Sequence, residues 1–146
     1  MEKKIEQSLY DIILKNVPIV CVDIAIVRTG KVLLVRRNDP PAKGEWWFPG
    51  GRLQKNEALL ACAKRKSKEE TGLDGSFISI IYYGETMFNN GPDDIPVHSI
   101  NFVYLMTPAS GLKVKLNDSL SEYKWIDKVN KAYHPYIKTV LWKLLL

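Results

Sequence analysis

Residues 50–73, GGRLQKNEALLACAKRKSKEETGL, constrain the fold more than any other stretch of the chain. The two leading glycines allow a sharp backbone bend that exposes carbonyl oxygens. A helix is predicted to start at Asn56, a favoured N-cap residue, and to end at Gly72. Glu69 and Glu70 then lie roughly 100° apart around the helix axis, and adjacent carboxylates repel unless a cation lies between them. This oxygen-rich cluster suits Mg²⁺.

The segments on either side predict a mixed sheet that is covered by helices. The predicted elements are helices over residues 2–16, 57–71 and 136–146 and strands over residues 19–27, 32–37, 77–84, 97–106 and 123–126. No repeat, low-complexity stretch or linker divides the 146 residues. We therefore expect a single domain, residues 1–146, of the α/β (α+β) class: an α/β/α sandwich whose N-terminal helix lies within residues 1–17.

Positive charge is concentrated in one segment of the chain. The formal net charge is +5, and +4 of it falls between Arg36 and Glu70. A solvated face and a site for a short polyanion are both compatible with this pattern. The basic residues alternate with acids and no aromatic–basic RNA motif is present, so no specific nucleic-acid partner is expected.

The cysteines and the N-terminus predict a cytoplasmic protein. Cys21 and Cys62 lie among apolar neighbours without metal-type spacing, which favours two free thiols in a reducing compartment. The N-terminus is charged throughout and lacks the apolar core of a signal peptide. The apolar run over residues 17–27 is too short to span a bilayer and contains Asp23, so no membrane partner is expected.

Residues 50–73 resemble the Nudix box, G-x5-E-x7-R-E-U-x-E-E-x-G-U, in which U is aliphatic. Seven of the nine fixed positions match: Gly51, Glu57, Arg65, Glu69, Glu70, Gly72 and Leu73. The resemblance implies a MutT-like hydrolase of nucleoside diphosphate derivatives that depends on Mg²⁺, with Mn²⁺ as the alternative ion. It also implies that Glu69, Glu70 and the carbonyl of Gly50 hold the metal.

Two positions depart from the box. Lys66 stands where the box has a glutamate, and Ser67 replaces an aliphatic residue on the inner side of the helix. A charged lysine neither ligates a metal nor acts as a base. Lys66 lies within salt-bridge reach of Glu69 and Glu70. We therefore expect it to weaken the binding of a second cation or to replace part of its charge.

A longer stretch, RRNDPPAKGEWWFPGGRLQKNE, is similar to the corresponding part of the GDP-mannose mannosyl hydrolases within this family. That resemblance implies cleavage of the sugar C1–O bond by water, giving GDP and free sugar. It implies catalytic roles for Arg37, which would stabilise the departing diphosphate, for Arg65 in the charge network and for Glu70. It also implies that Asp23, Arg37 and Arg52 contact the substrate.

The general base remains unassigned from the sequence. The mannosyl hydrolases place a Gln and a His just before an acidic-Tyr-x-Trp segment, but this chain has Ser119 and Leu120 before its EYKW. The candidate bases are His98, Glu85, Asp118 and Glu122.

Two other functions stay open. One is pyrophosphate cleavage of ADP-ribose-like or nucleoside triphosphate substrates, and the other is a nucleotide-binding module with impaired turnover. The mannosyl hydrolases also suggest a homodimer.

Overall fold

A mixed sheet forms the centre of the computed structural model, which describes residues 4–145. The strands are β1 (Ile19–Arg28), β2 (Lys31–Arg37), β3 (Trp46–Trp47), β4 (Gly50–Arg52), β5 (Gly75–Phe88), β6 (Val97–Pro108) and β7 (Leu120–Ile126). The helices are α1 (Gln7–Asn16), α2 (Leu59–Thr71) and α3 (Pro135–Leu145). The strand order is β3-β2-β1-β6-β5, with β4 paired to β1 and β7 paired to β2. Strands β1 and β6 run parallel and the other pairs are antiparallel. The predicted fold class is confirmed.

Strand β1 supplies side chains to both faces of the sheet because successive residues of a strand point in opposite directions. Val22 and Ile24 pack on one face with Cys62 of α2. Ala25 packs on the other face with Ile137 of α3. All five side chains are fully buried, so truncating Ile24 to alanine would cost about 2–5 kcal/mol of stability. Helices therefore cover both faces of β1.

Helix α2 begins later than the sequence predicts. Asn56 has a φ of +65° and lies in a turn before the helix, and Ala58 is the N-cap residue. The predicted N-cap is therefore wrong, because the turn takes up Asn56 before the helix can begin. The predicted end is confirmed: Gly72 has a φ of +71° and donates its N–H to the carbonyl of Lys68. Glycine reaches this left-handed conformation without the steric cost that a Cβ would add.

The remaining elements differ from the prediction mainly at their ends. Helix α1 starts at Gln7 rather than at residue 2, and residues 1–3 lie outside the described part of the chain. Strands β5 and β6 are longer than predicted because they pair with each other along their whole length, from Gly75 opposite Pro108 to Phe88 opposite Val97. Across residues 4–145, none of the helices has the length and apolar character needed to span a bilayer.

Candidate active site

A cavity of about 260 Å³ opens beside β1, β4 and β6. Four of the predicted substrate-binding and metal-binding residues line it: Asp23, Arg37, Gly50 and Arg52. They come from β1, β2 and β4, which are neighbours in the sheet. Among residues 4–145, Asp23 is the only carboxylate that lines the cavity. The sheet therefore brings together the residues predicted to contact the substrate.

Two arginines place positive charge on the cavity wall. The Nε of Arg37 donates to the carbonyl of Pro41 at 2.8 Å, which ties its side chain to the loop that follows β2. The guanidinium of Arg52 lies over the ring of Tyr10 in α1, 5.4 Å from the ring centre. Guanidinium groups bind phosphate oxygens in a bidentate geometry, so this wall suits a phosphorylated ligand.

A row of buried polar side chains forms another wall. Asn101 Nδ2 donates to Asp23 Oδ2 at 3.1 Å, and the hydroxyl of Tyr136 donates to the same oxygen at 2.6 Å. A carboxylate only accepts hydrogen bonds, so Asn101 turns its amide oxygen towards Ser99, which donates to it at 2.7 Å. The Ser99 proton is then used, and Thr86 is the donor in the 2.6 Å contact between Thr86 and Ser99. The row thus has one polarity, which ends at Asp23.

The position of Asp23 is costly for a charged group. The residue is 3% exposed, and burial raises its pKa to about 6, although the hydrogen bonds from Tyr136 and Asn101 act in the opposite direction. Its Oδ1 lies so close to the backbone of Gly50 that a Cβ there would collide with it. Asp23 therefore faces the same strand that is predicted to offer a carbonyl to a metal.

An ion pair fastens α2 to the preceding turn and to β4. Arg65 makes a bidentate pair with Glu57, with donor–acceptor distances of 2.7 and 2.9 Å, and this pair holds the pKa of Glu57 down at about 2. Arg65 also donates to the carbonyl of Arg52 at 3.2 Å. Two of the matched positions of the Nudix box are thus paired with each other in the structure. Neither side chain lines the cavity, so the contribution of Arg65 acts through β4.

Glu69 and Glu70 lie together at the end of α2. Glu70 is 7% exposed, and its carboxylate accepts hydrogen bonds from Gly50 N–H at 2.9 Å and from the Ser119 hydroxyl at 3.3 Å. Burial raises the pKa of Glu70, and the nearby ammonium of Lys66 acts in the opposite direction. The contact with Gly50 places Glu70 directly behind the cavity wall.

The chemistry of these groups suits a divalent cation, and Mg²⁺ stays the predicted ion. Glu69, Glu70 and the carbonyl of Gly50 offer hard oxygen donors next to the cavity, and Mg²⁺ is commonly bound by one or two carboxylates with water and substrate phosphates completing its shell. A cage made wholly of side chains is absent, since no cluster of three or more His, Cys, Asp or Glu side chains in the described part of the chain could hold a metal.

The four candidate bases lie outside the lining of the cavity. His98 and Glu85 are exposed and pair with each other at 2.9 Å on β6 and β5. Glu122 forms an exposed ion pair with Arg36 at 2.8 Å. Neither these three candidates nor Asp118 lines the cavity. The structure does not bring the candidates together with the substrate residues, and the assignment of a base stays a prediction.

Several residues of the cavity escape the sequence analysis. Ser99, Asn101 and Thr86 form the polar row, and Tyr136 of α3 supports it from behind. One signal was available for two of them: Ser99 and Asn101 are polar residues at alternate positions of a strand whose same-facing neighbours are valines. Tyr10 of α1, which also lines the cavity, carries no such signal.

Comparisons with known proteins agree with this geometry. The family model described as NUDIX domain matches residues 17–135. The low-salt glycan biosynthesis protein Agl8 of Haloferax volcanii is 32% identical over 145 residues, which cover 94% of this chain and 89% of that protein. The ADP-ribose pyrophosphatase of Methanocaldococcus jannaschii is 30% identical over 113 residues, 77% of this chain and 64% of that protein. The crystal structure of the MutT NUDIX hydrolase from Burkholderia pseudomallei has a TM-score of 0.74 and 23% identity, and covers 90% of this chain and 100% of that one. The chain therefore belongs to the Nudix family of hydrolases.

Proposed function

We propose that this Nudix hydrolase acts on a nucleoside diphosphate sugar, with GDP-mannose as the first candidate, in a reaction that depends on Mg²⁺. The observation that carries the proposal is the composition of the cavity, which is lined both by two arginines that suit a diphosphate and by a buried row of hydroxyl, amide and carboxylate groups. A hydroxyl-rich sugar joined to a diphosphate matches both walls. The similarity to a glycan biosynthesis protein along nearly the whole chain supports the same substrate class.

In this proposal each residue has a separate role in binding the substrate or the metal. Arg37 and Arg52 bind the diphosphate, and Arg37 stabilises the charge that develops when it departs. Asp23 accepts a hydrogen bond from a sugar hydroxyl. Glu69, Glu70 and the Gly50 carbonyl would hold Mg²⁺.

When bound, Mg²⁺ neutralises the diphosphate and improves it as a leaving group. Water attacks the anomeric carbon, the C1–O bond breaks, and the nucleoside diphosphate leaves with the bonding electrons. The proton lost by the water passes to a base, for which His98, Glu85, Asp118 and Glu122 remain the predicted candidates. The products are the free sugar and the nucleoside diphosphate.

A product assay tests the proposal. Purified full-length protein with Mg²⁺ and GDP-mannose should give GDP and mannose, and in ¹⁸O-labelled water the label should appear on the sugar. GMP with mannose 1-phosphate would contradict it. Glu70→Gln should abolish turnover while circular dichroism shows a folded protein, and Asp127→Asn, at an exposed carboxylate, serves as the control.

Cleavage of a P–O bond is the second candidate, because an ADP-ribose pyrophosphatase is 30% identical over 77% of the chain. ADP-ribose would then give AMP and ribose 5-phosphate, with ¹⁸O on a phosphate. The same panel of substrates separates the two reactions. The homodimer also stays a prediction, which light scattering coupled to gel filtration tests.

A further inference from the structure

Lys66 of α2 is buried although it carries a charge. The residue is 7% exposed, and its Nζ lies 3.6 Å from Glu69 Oε2 and 3.6 Å from Glu70 Oε2. Lysine is almost never fully buried unless it is paired. The equal distances place the ammonium between two adjacent carboxylates, which is where their repulsion calls for a cation.

Strand β4, which packs against α2, leaves room for the side chain of Lys66. A Cβ at position 51 would collide with Cε of Lys66 and would lie 3.0 Å from its Nζ. Gly51 therefore lets the aliphatic stem of Lys66 lie against β4 while the ammonium reaches the carboxylates. The stem of Lys66 therefore packs closely against β4 at Gly51.

The net charge of Glu57, Arg65, Lys66, Glu69 and Glu70 does not favour the binding of two divalent ions. Arg65 makes the bidentate pair with Glu57 and also an ion pair with Glu69 at 3.4 Å, whereas Lys66 is the lysine that reaches Glu70. Lys66 then offsets one of the two charges on Glu69 and Glu70, so these five side chains carry a net charge of −1. A glutamate at position 66 would change that net charge to −3 and would add a ligand.

We infer that the ammonium of Lys66 takes the place of one divalent cation between Glu69 and Glu70, so that the site binds one metal ion per chain. The inference rests on the proposed function only in taking Glu69 and Glu70 as metal ligands. Lys66 is a positioning residue: its ammonium lies between the two carboxylates and it does not line the cavity. Unlike the metal ion that it replaces, an ammonium group supplies positive charge without coordinating oxygen ligands.

Counting bound Mn²⁺ tests the inference without any substrate. Electron paramagnetic resonance of free Mn²⁺, titrated into the full chain, should give one bound ion for the wild type and two for Lys66→Glu. Lys68→Glu makes the same change of charge at an exposed position of the same helix and should still bind one. Two ions or none in the wild type would overturn the inference. A second ion in Lys68→Glu would also overturn it, since net charge alone would then explain the gain.

If Lys66→Glu does not fold, thermal unfolding of Lys66→Met provides a second test of the inference. Without metal, this variant should melt below the wild type because Glu69 and Glu70 lose the cation between them. Saturating Mn²⁺ should raise its Tm by about 2–4 °C more than it raises that of the wild type, since an ion can fill the vacated position. Equal shifts would refute the inference. Because both measurements omit substrate, either can fail while the hydrolysis assay succeeds, and the reverse also holds.

Discussion

Asp23 should reduce the stability of the folded protein at neutral pH, and its replacement by asparagine measures that cost. The carboxylate is 3% exposed and accepts hydrogen bonds from Tyr136 and Asn101 through one oxygen. The side-chain oxygen of asparagine can accept the same two bonds. Asp23→Asn therefore removes the titratable charge and keeps the shape of the polar row.

The magnitude and the sign of this effect on stability follow from the pKa of Asp23. The folded state raises the pKa of Asp23 from its ordinary value of 3.8 to about 6. The folded state thus binds the proton more tightly than the unfolded state, so wild-type stability falls as the pH rises from about 4 through about 6. The full difference corresponds to about 3 kcal/mol, and about 2 kcal/mol of it falls between about pH 4.5 and about pH 7.5.

Urea unfolding in EDTA across that range is the assay. The stability of Asp23→Asn relative to the wild type should rise by about 2 kcal/mol from the acidic to the neutral end. The exposed control Asp127→Asn should follow the wild type in parallel. A difference that stays constant, or that shrinks towards neutral pH, would refute the reasoning. Asp23→Asn should also weaken the binding of nucleotide sugars, measured by calorimetry.

Three further variants test other parts of the structure. Glu57→Gln breaks the bidentate pair with Arg65 and should cost about 2 kcal/mol at neutral pH. Since the pair lowers the pKa of Glu57 from 4.5 to about 2, urea unfolding should show this deficit shrinking as the pH falls through that interval. Gly72→Ala should lower stability by about 1 kcal/mol in thermal melts because its φ is +71°. Tyr136→Phe removes a donor to Asp23 and should destabilise the fold by about 1 kcal/mol in urea and raise the KM for the sugar nucleotide.

Local sequence signals predict the parts of this molecule that local chemistry determines. Gly72 ends α2 because glycine tolerates a positive φ, and the hairpin after β1 turns at Thr29 and Gly30, which both have positive φ. The pairing of Glu57 with Arg65 joins the turn before α2 to the helix, and the two residues are only eight positions apart. The start of α2 was mispredicted because an intervening turn at Asn56 outweighs its capping preference.

Local sequence signals do not predict the polar row of Thr86, Ser99, Asn101 and Asp23. Asn101 meets Asp23 because β6 pairs in parallel with β1, a contact between residues 78 positions apart. Thr86 reaches the row only through the antiparallel register of β5, where it lies opposite Ser99. A single sequence indicates that these strands exist but does not fix their order or register. The same holds for Lys66, whose contact with Glu69 lies within α2 but whose stem packs against Gly51 of β4.

The buried charges of the site also relate the metal to the substrate. Asp23 and Glu70 are buried carboxylates whose pKa values are raised by burial, and Arg37 lowers the pKa of both, so its charge acts on the two together. A diphosphate that binds Arg37 would therefore weaken the stabilisation that this charge gives both carboxylates. Lys66 offsets only part of this negative charge. If the proposed divalent cation binds at Glu70, it would offset more of this charge, so we expect a nucleotide sugar to bind more tightly with Mg²⁺ than without it in calorimetry. Equal affinities would contradict this reasoning.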